Sequence, residues 1–420
     1  MHTHTGLNFL VVIFDSLAEA DLVSLAHDLP ALARLRQIGV AFSNAFAPSP
    51  ESGPARASLY TGLDTAAHGV WTDGVALPDH ETPFPARFTS AGYRTWGVGR
   101  RQLAGVSNWT TEHVRAGEYH HFDWAHGPLH QSRQNAYLTW LQDRARDTYA
   151  AIFPTQPDAD NTQCSAHQYD AMAQIQDDLS FNTWVGAQVC AHISKHDGTT
   201  PFLGVAGFVV GDSMGGAPDG HSVGEQMNTR ALRQADAALA QLIQQLDARH
   251  VADKTVIVVT SARGSGSGPA LHDSALNVPL MVYVPGNTAR TVDGIVSTID
   301  VAPTLYALAG ITPPQRVQGQ HLLAENATPR DWMLSRLRKP GHTPQTTLRA
   351  GQWKLVMSHG DLDQGHPPTH QLYDIAADPN EANDLAASDA HADDLEHMID
   401  LMIDARVALE DRTEPRIAMF

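Results

Sequence analysis

Apolar runs of strand length recur along the first three quarters of the chain. They are continuous rather than alternating, they are rich in β-branched residues, and they cover residues 8–14, 93–98, 201–210, 254–260 and 278–284. Such runs are typical of parallel strands that are buried on both faces. Stretches with helical spacing lie between or beside them, at residues 29–38, 86–92, 223–249 and 300–309. This alternation predicts a large α/β domain.

The pattern changes near residue 330. Beyond it we expect short antiparallel strands and then a helix through about Glu410, the strands lying at 346–349, 353–357 and 371–373. The predicted domains are therefore an α/β domain over 1–330 and a C-terminal subdomain over 331–420. We expect the tail of that subdomain, residues 412–420, to be an oligomerisation arm that reaches a neighbouring subunit.

The segment from about 105 to 200 is less regular than its surroundings and is richer in His, Trp and polar residues. We expect it to be an insertion of loops and helices over the carboxyl edge of the sheet. Within it, residues 118–130 hold five metal-ligand types, His120, His121, Asp123, His126 and His130. A metal site is one interpretation, but the spacing matches no zinc or iron template, and polar surface is the favoured one.

The composition of the chain excludes some classes of binding partner and indicates the cellular compartment of the protein. The chain has 420 residues, 42% of them hydrophobic, which suffices for one large domain and a smaller one. Its formal charge of −18 argues against nucleic acid or an anionic membrane as partner. Two cysteines give no disulfide framework, the N-terminus does not resemble a signal peptide, and the run 9–14 is too short to span a bilayer. We expect a cytoplasmic protein.

The stretch Ser52–Gly62, which reads Ser-Gly-Pro-Ala-Arg-Ala-Ser-Leu-Tyr-Thr-Gly, concentrates the candidate chemistry. A Pro-rich loop delivers Ser52 to the start of a helix, where free N–H groups and the helix dipole favour an anion. Arg56 lies one turn further on the same face, so it is a candidate for clamping an oxyanion with two hydrogen bonds. Taken alone, Ser52 would equally suit a helix N-cap.

This order of residues resembles the signature of the sulfatases in the alkaline phosphatase superfamily, whose first residue is a Cys or Ser oxidised to formylglycine. The resemblance extends over nearly the whole chain, with further family-like segments at 277–286, 297–310, 318–320, 352–355, 372–374 and 378–381. It implies an alkaline-phosphatase-like α/β sandwich. In that fold helices flank a large mixed central sheet, and a small C-terminal antiparallel sheet and helix follow.

The positions that hold a metal in the family depart from its pattern here. Two adjacent acidic ligands usually follow the first strand, but this chain has Asp15 and Ser16. A later Asp-His or Asp-Asn pair is replaced by Ala262 and Arg263. Asp15 is then the only retained ligand-type residue, and one carboxylate cannot offset the dehydration of a cation that needs about six oxygen ligands. No metal is expected, and a carboxylate capping the next turn is the other interpretation of Asp15.

The family's acid and base groups are also replaced. Its Gly-Lys-x-His motif falls on residues 99–102, where Arg100 and Gln102 stand for Lys and His. Its mid-chain histidine is lost near Asp212, and the lysine of the second metal-binding loop is absent, which leaves His272 as the basic side chain there. Replacing His by Gln removes a proton shuttle.

Arginine charge takes the place of these groups. We expect Arg263 to stand opposite Asp15, to replace the charge of the metal and to form a bidentate ion pair. Together with Arg56, Arg100 and His272 it would line an anion-binding pocket near Ser52. In the alternative interpretation, Arg263 is a surface arginine at the start of a glycine-rich loop, residues 263–268.

Three functions remain open. The favoured one is a non-hydrolytic pseudoenzyme that binds a partner or an anionic small molecule (sulfate, phosphate or their esters), with Ser52 and Arg56 vestigial or altered. The alternative is an active hydrolase or transferase of sulfuric, phosphoric or phosphonic esters. It would use Ser52 as nucleophile or formylglycine precursor, with Ca or Mn as cofactor. The third is a structural subunit in a homo-oligomer, or in a hetero-oligomer with an active homologue.

Overall fold

The computed structural model of the chain describes residues 5–106, 110–154, 165–210, 225–266, 270–360 and 367–409. The strands are β1 (Asn8–Ser16), β2 (Val40–Phe42), β3 (Ala45–Phe46), β4 (Arg94–Gly99), β5 (His121–Trp124), β6 (Phe202–Phe208), β7 (Thr255–Arg263), β8 (Leu280–Tyr283), β9 (Arg290–Val292), β10 (Val296–Ser297), β11 (Trp332–Leu337), β12 (Gln345–Ala350), β13 (Trp353–Ser358) and β14 (Thr369–Asp374). The helices are α1 (Glu19–Ser24), α2 (Pro30–Ile38), α3 (Ser52–Thr61), α4 (Thr65–His68), α5 (Phe84–Ser90), α6 (Ala136–Arg144), α7 (Arg146–Ile152), α8 (Ala166–Ala173), α9 (Phe181–Ser194), α10 (Glu225–Ala248), α11 (Asp273–Leu276), α12 (Val301–Ala309) and α13 (Ala392–Leu409).

The main sheet has eight strands in the order β5-β4-β6-β1-β7-β8-β2-β9. Strand β1 lies at its centre and pairs in parallel with both β6 and β7. Strand β8 is antiparallel to β7 and to β2, which makes the sheet mixed. Because β1, β4, β6 and β7 are parallel, the residues that follow them meet at one edge of the sheet.

Both faces of the main sheet are covered by helices, and β1 shows why its apolar run is continuous. Leu10, Val12 and Phe14 point to one core, which they share with α2, α6, α9 and α10. The residues between them point to the other core, which they share with α3, α5 and α12. All of these β1 side chains are fully buried. The predicted sandwich with a mixed central sheet is confirmed.

A second, antiparallel sheet follows in the order β11-β12-β13-β14. Helix α13 packs on it through Met398, Met402, Ala405 and Leu409. The predicted small C-terminal sheet and helix are confirmed, although the sequence interpretation missed β11. The predicted oligomerisation arm lies outside the described residues. None of the helices within the described ranges has the length and apolarity needed to cross a lipid bilayer.

Two elements of the segment predicted as an insertion, residues 105–200, belong to the main sheet and its core. Strand β5 joins the main sheet beside β4, and α9 packs between the sheet and α10 as part of the core. Strand β5 was not predicted from the sequence because His-Phe-Asp-Trp contains no apolar run. Of its four residues, Trp124 alone is buried. Helix α9 is buried over much of its surface, so it lacks the apolar stripe of a half-exposed helix.

Candidate functional site

Helix α3 begins at Ser52, as the sequence predicts, and brings that residue to the carboxyl edge of the main sheet. Glu51 precedes it with extended backbone and provides no side-chain cap. All ten residues of α3 are buried, and Ser52 is 5% exposed. Gly62 ends the helix in the left-handed region at φ 74°, which favours glycine. The helix is therefore a core element that presents its N-terminus to the site.

A carboxylate of the chain itself, that of the exposed residue Asp73, occupies the N-terminus of α3. The Gly53 N–H donates a hydrogen bond to Asp73 Oδ1 at 2.6 Å, and Gln102 Nε2 donates to the same oxygen at 3.2 Å. Pro54 has no N–H to offer. A Cβ on Gly53 would lie 2.8 Å from that oxygen, so glycine leaves room for the carboxylate. Asp73 thus holds the position that the helix dipole favours for an anion.

Asp15 is held between two arginines at the end of β1. Its carboxylate is fully buried, with Oδ1 3.0 Å from Arg56 Nη2 and Oδ2 2.9 Å from Arg100 Nη1. Arg56 is also fully buried, and its Nη1 donates to the Arg100 carbonyl at 3.2 Å. The structure therefore brings together Asp15, Arg56 and Arg100, three of the residues predicted for the site. Arg56 itself points into this buried cluster.

Arg100 links the cluster to neighbouring polar groups. Its Nε donates to Gln102 Oε1 at 2.9 Å, and its Nη2 lies 3.3 Å from His126 Nε2. Burial lowers the pKa of Arg100, although the Asp15 carboxylate acts in the opposite direction. Burial and the Arg100 charge hold the pKa of His126 well below its usual range. A neutral His126 can accept the hydrogen bond from the guanidinium.

Gln102 has a left-handed backbone at φ 57°, which is uncommon for a residue other than glycine. Glu112 holds it there by accepting from the N–H groups of Gln102 at 2.9 Å and Leu103 at 2.6 Å. Arg101 pairs with Glu112 and with Glu118, each at 2.6 Å. Burial would lower the pKa of Arg101, but the two carboxylates raise it. A buried ion network thus supports the edge of the site.

Two other predicted site residues do not pair with Asp15 in the described part of the chain, although the charge of Arg263 is near enough to help lower the pKa of Arg100. Arg263 ends β7 beside Ser16, and its Nη1 donates to the Gly264 carbonyl at 3.1 Å. In the described part of the chain, Arg56 and Arg100 replace it as the ion-pair partners predicted for Asp15. His272 precedes α11, with Nε2 3.8 Å from Glu381 Oε2, and burial lowers its pKa. Asp212 lies outside the described residues.

A cleft of about 1490 Å³ lies at the end of α4 and is lined in part by basic side chains. The arginines that contribute are Arg316, Arg336, Arg338 and Arg406. Arg338 places its guanidinium 4.2 Å from the centre of the ring of Trp71, which lies two residues before Asp73 in the chain. Two of these arginines are ion-paired, Arg316 with Glu81 and Arg336 with Asp64. Sequence reasoning missed the cleft because residues 66–80, 316, 336–346, 359 and 406 meet there only in the folded chain.

His68, at the end of α4, joins α3 to the cleft wall. Its Nε2 lies 2.8 Å from Ser58 Oγ on α3, and its Nδ1 accepts from the Val70 N–H at 3.0 Å. Burial lowers the pKa of His68 from its ordinary value of 6.5 to about 3. The imidazole is therefore neutral in the folded protein at neutral pH.

We expect His68 to make the folded protein sensitive to mild acid. The unfolded chain takes up a proton near pH 6.5, whereas the folded chain does so only near pH 3. The stability is therefore full above about pH 6.5 and is lost as the pH falls towards 3, with about 2 kcal/mol lost by pH 5. Urea unfolding at pH 8 and pH 5 measures this loss. The difference between the two pH values should be smaller by that amount in His68→Gln, and an unchanged difference would contradict the assignment to His68.

Comparisons with known proteins identify the family of the chain. The family model described as Sulfatase matches residues 7–311, and the model described as N-sulphoglucosamine sulphohydrolase, C-terminal, matches residues 269–408. The chain is 25% identical over 452 aligned positions to the uncharacterized sulfatase YidJ of Escherichia coli, with 96% of this chain and 88% of that protein covered. It is 29% identical over 173 positions to Arylsulfatase K of Mus musculus, with 36% of this chain and 31% of that protein covered.

Solved structures show the same fold. The phosphonate monoester hydrolase of Agrobacterium radiobacter superposes with a TM-score of 0.76 at 19% identity, covering 97% of both chains. A structure solved in complex with its substrate D-glucosamine-2-N,6-O-disulfate superposes with a TM-score of 0.71 at 15% identity, covering 97% of this chain and 99% of that chain. The Sulfatase model matches well over half of the length of this chain, and the segment that begins at Ser52 lies inside the match. The chain therefore belongs to the sulfatase family.

Proposed function

We propose that this sulfatase-family protein binds an anionic ester, or the anion released from one, without hydrolysing it. The observation that carries the proposal is the pairing of Asp15 with both Arg56 and Arg100. Two guanidinium groups supply positive charge at the carboxylate that would otherwise help to hold a metal. The carboxylate is thereby occupied, and the two arginines provide no Lewis acid to activate a nucleophile.

The residues around Asp15 do not fit the divalent cation that the family implies. Such a cation needs about six oxygen ligands. In the described ranges, Arg56 and Arg100 contact the two Asp15 oxygens, and Ala262 and Arg263 offer no side-chain oxygen at the later ligand positions. A divalent cation at Asp15 would also face two fixed positive charges. The proposal therefore contains no step through Ca or Mn.

The chemistry of the cleft supports a sulfated or phosphorylated saccharide as ligand. Arginine binds sulfate and phosphate with two parallel hydrogen bonds. Arg338 provides a guanidinium at the cleft wall, where it stacks on the face of the Trp71 ring. A structural neighbour was solved with a disulfated glucosamine as substrate, which is consistent with this class of ligand.

Ester hydrolysis is the second candidate function. Ser52 keeps the family position at the start of α3, and the relatives are named as sulfatases. In this alternative Ser52, or formylglycine formed from it, attacks the ester, and Ca or Mn would have to bind with side chains that rearrange.

Binding and turnover distinguish the two functions. We expect glucosamine disulfate to bind in calorimetry to the wild type and to Ser52→Ala with similar affinity. We expect no turnover of aryl sulfate, phosphate monoester or phosphonate monoester, with or without added Ca or Mn. Turnover that disappears in Ser52→Ala would instead establish the hydrolase. Mass spectrometry of the peptide that contains Ser52 measures its conversion to formylglycine directly.

Removing the Asp73 carboxylate should strengthen anion binding. Asp73→Asn takes a negative charge away from the Gly53 N–H and Gln102 amide without changing the size of the side chain. We expect inorganic sulfate to bind roughly tenfold more tightly, because hydrogen bonds to charged groups contribute about 1.5–3 kcal/mol. Calorimetric titration with sulfate measures the change. Asp253→Asn, which removes the same charge at an exposed position, should leave the affinity unchanged; equal effects of the two variants would mean that only net charge matters.

A further inference from the structure

Three metal-ligand side chains meet on the outer edge of the main sheet. His121 and Asp123 are two residues apart on β5, so they project from the same face of the strand. His192 reaches them from α9. His121 Nε2 lies 3.0 Å from Asp123 Oδ1, and His192 Nε2 lies 2.8 Å from Asp123 Oδ2. One ligand atom from each residue lies within 4.8 Å of the other two.

The surroundings orient these side chains and leave a path from solvent. Trp96 on β4 stacks on the His192 ring, with centroids 5.0 Å apart and planes 10° apart. The side chain of His121 is 58% exposed, whereas those of Asp123 and His192 are 22% and 14% exposed. Two of the three groups are thus held in place, and the third closes the cluster from the solvent side.

This cluster is separate from the site at Asp15. His121 pairs in register with Trp96, near the start of β4, whereas Arg100 directly follows the last residue of that strand, Gly99. Asp123, which links the two histidines, pairs with Val98, so two residues of strand, or about 7 Å, separate it from Arg100 along the sheet. The hydrogen bonds of the three side chains run within the cluster, from each histidine to Asp123.

We propose that His121, Asp123 and His192 form a zinc site that fastens edge strand β5 to helix α9. Two imidazoles and one carboxylate are a common zinc ligand set, in which a fourth position is open to water. Donor atoms of a tetrahedral zinc site lie about 3.3 Å apart when the bonds are about 2.0 Å long. The N–O distances of 3.0 and 2.8 Å are close to this value. Small side-chain rotations are enough to aim the three donors at one ion.

Zinc binding has a proton balance that can be measured. Without zinc, Asp123 bridges the two imidazoles by hydrogen bonds, and each bridge places an N–H on the imidazole nitrogen that would bind the metal. The ion replaces those hydrogens, and each imidazole either binds through a changed tautomer or releases a proton if it was charged. Zinc affinity should therefore fall as the pH is lowered, because protons compete with the ion for the imidazole nitrogens.

Zinc titration of the full chain tests the proposal. The chain has 23 histidines, and others among them can also bind zinc weakly. The quantity to measure is therefore the number of zinc ions that bind tightly per chain, not the total amount of zinc bound. We expect equilibrium dialysis against zinc to show one tightly bound ion in the wild type. We expect its Kd to rise roughly tenfold or more in His121→Gln and in Asp123→Asn, since each removes one of three ligands. The matched control is His391→Gln, whose histidine also pairs with one carboxylate, that of Asp394 at 3.1 Å, outside the cluster.

Thermal unfolding provides a second readout that does not depend on other zinc-binding histidines. Zinc should raise the Tm of the wild type and of His391→Gln but not that of His121→Gln, because binding to the folded state stabilises it. The exposed ring of His121 makes this variant suitable, and its Tm without zinc should match the wild type. Equal zinc uptake and equal Tm shifts in all variants would overturn the proposal and leave Asp123 as a hydrogen-bonded bridge between two histidines.

Discussion

Replacing Arg56 with Met should destabilise the folded protein by about 3–5 kcal/mol. Met has a similar length, so little packing is lost, but the variant removes one of the two guanidinium groups that pair with the buried Asp15 carboxylate. The hydrogen bond from Arg56 to the Arg100 carbonyl is lost as well. A charge that is removed from water and left partly uncompensated is among the most costly defects that a single substitution can produce. Denaturant unfolding at neutral pH measures the change.

Two further variants separate the ion pair from other effects of the substitution. Asp15→Asn should also destabilise the protein, and the double variant should cost clearly less than the two single changes added together, because the unpaired charges disappear together. Arg233→Met removes a guanidinium whose partner Asp28 is exposed, at 3.0 Å, and should cost less than about 1 kcal/mol. Equal losses in Arg56→Met and Arg233→Met would contradict the assigned role of Asp15 and Arg56.

Replacing Arg101 with Met should have an effect of the same size, about 3–5 kcal/mol, for a related reason. The variant leaves two buried carboxylates, Glu112 and Glu118, without their common partner. Glu112 also accepts from the N–H groups of Gln102 and Leu103, so its movement would loosen the left-handed turn at Gln102. Urea unfolding measures the loss, and weaker binding of sulfate measures the effect on the site.

Arg101→Lys is the informative companion to this variant. It restores the charge but not the planar fork that reaches both carboxylates at once, so its stability should lie between those of Arg101→Met and the wild type. If Arg101→Met instead unfolds like the wild type, the ion pairs of Arg101 with the two glutamates do not stabilise the protein, and the role assigned to Arg101 is wrong.

The order of buried strands could be recognised from the sequence because the signal is local. In residues 9–14 of β1, successive side chains face opposite cores, so each of these positions is apolar, and the run is visible without any knowledge of its neighbours. The same holds for most of β6 and for the middle of β7. Strands β5 and β11 were missed because polar side chains interrupt them, such as Asp123 in β5 and Arg336 in β11.

The candidate site divides in the same way. The start of α3 at Ser52 and the position of Asp15 at a strand end follow from short segments, and both were predicted correctly. The partners of Asp15 were not: Arg263 stands in the adjacent strand, but Arg56 and Arg100 make the ion pairs. The periodicity of a sequence shows on which face of a helix or strand a side chain lies. It does not show how far a flexible arginine side chain extends, or in which direction.

By itself, therefore, the sequence determined the family signature, the alternation of buried strands and helices, and the acidic charge of the protein. Each of these depends on residues that are close in the chain or on simple sums over it. Tertiary structure alone decided that Asp73 occupies the N-terminus of α3, that arginines from several segments line one cleft, and that His192 meets His121 and Asp123. These contacts join residues far apart in the chain, and their energies depend on burial and distance, which only the folded chain sets.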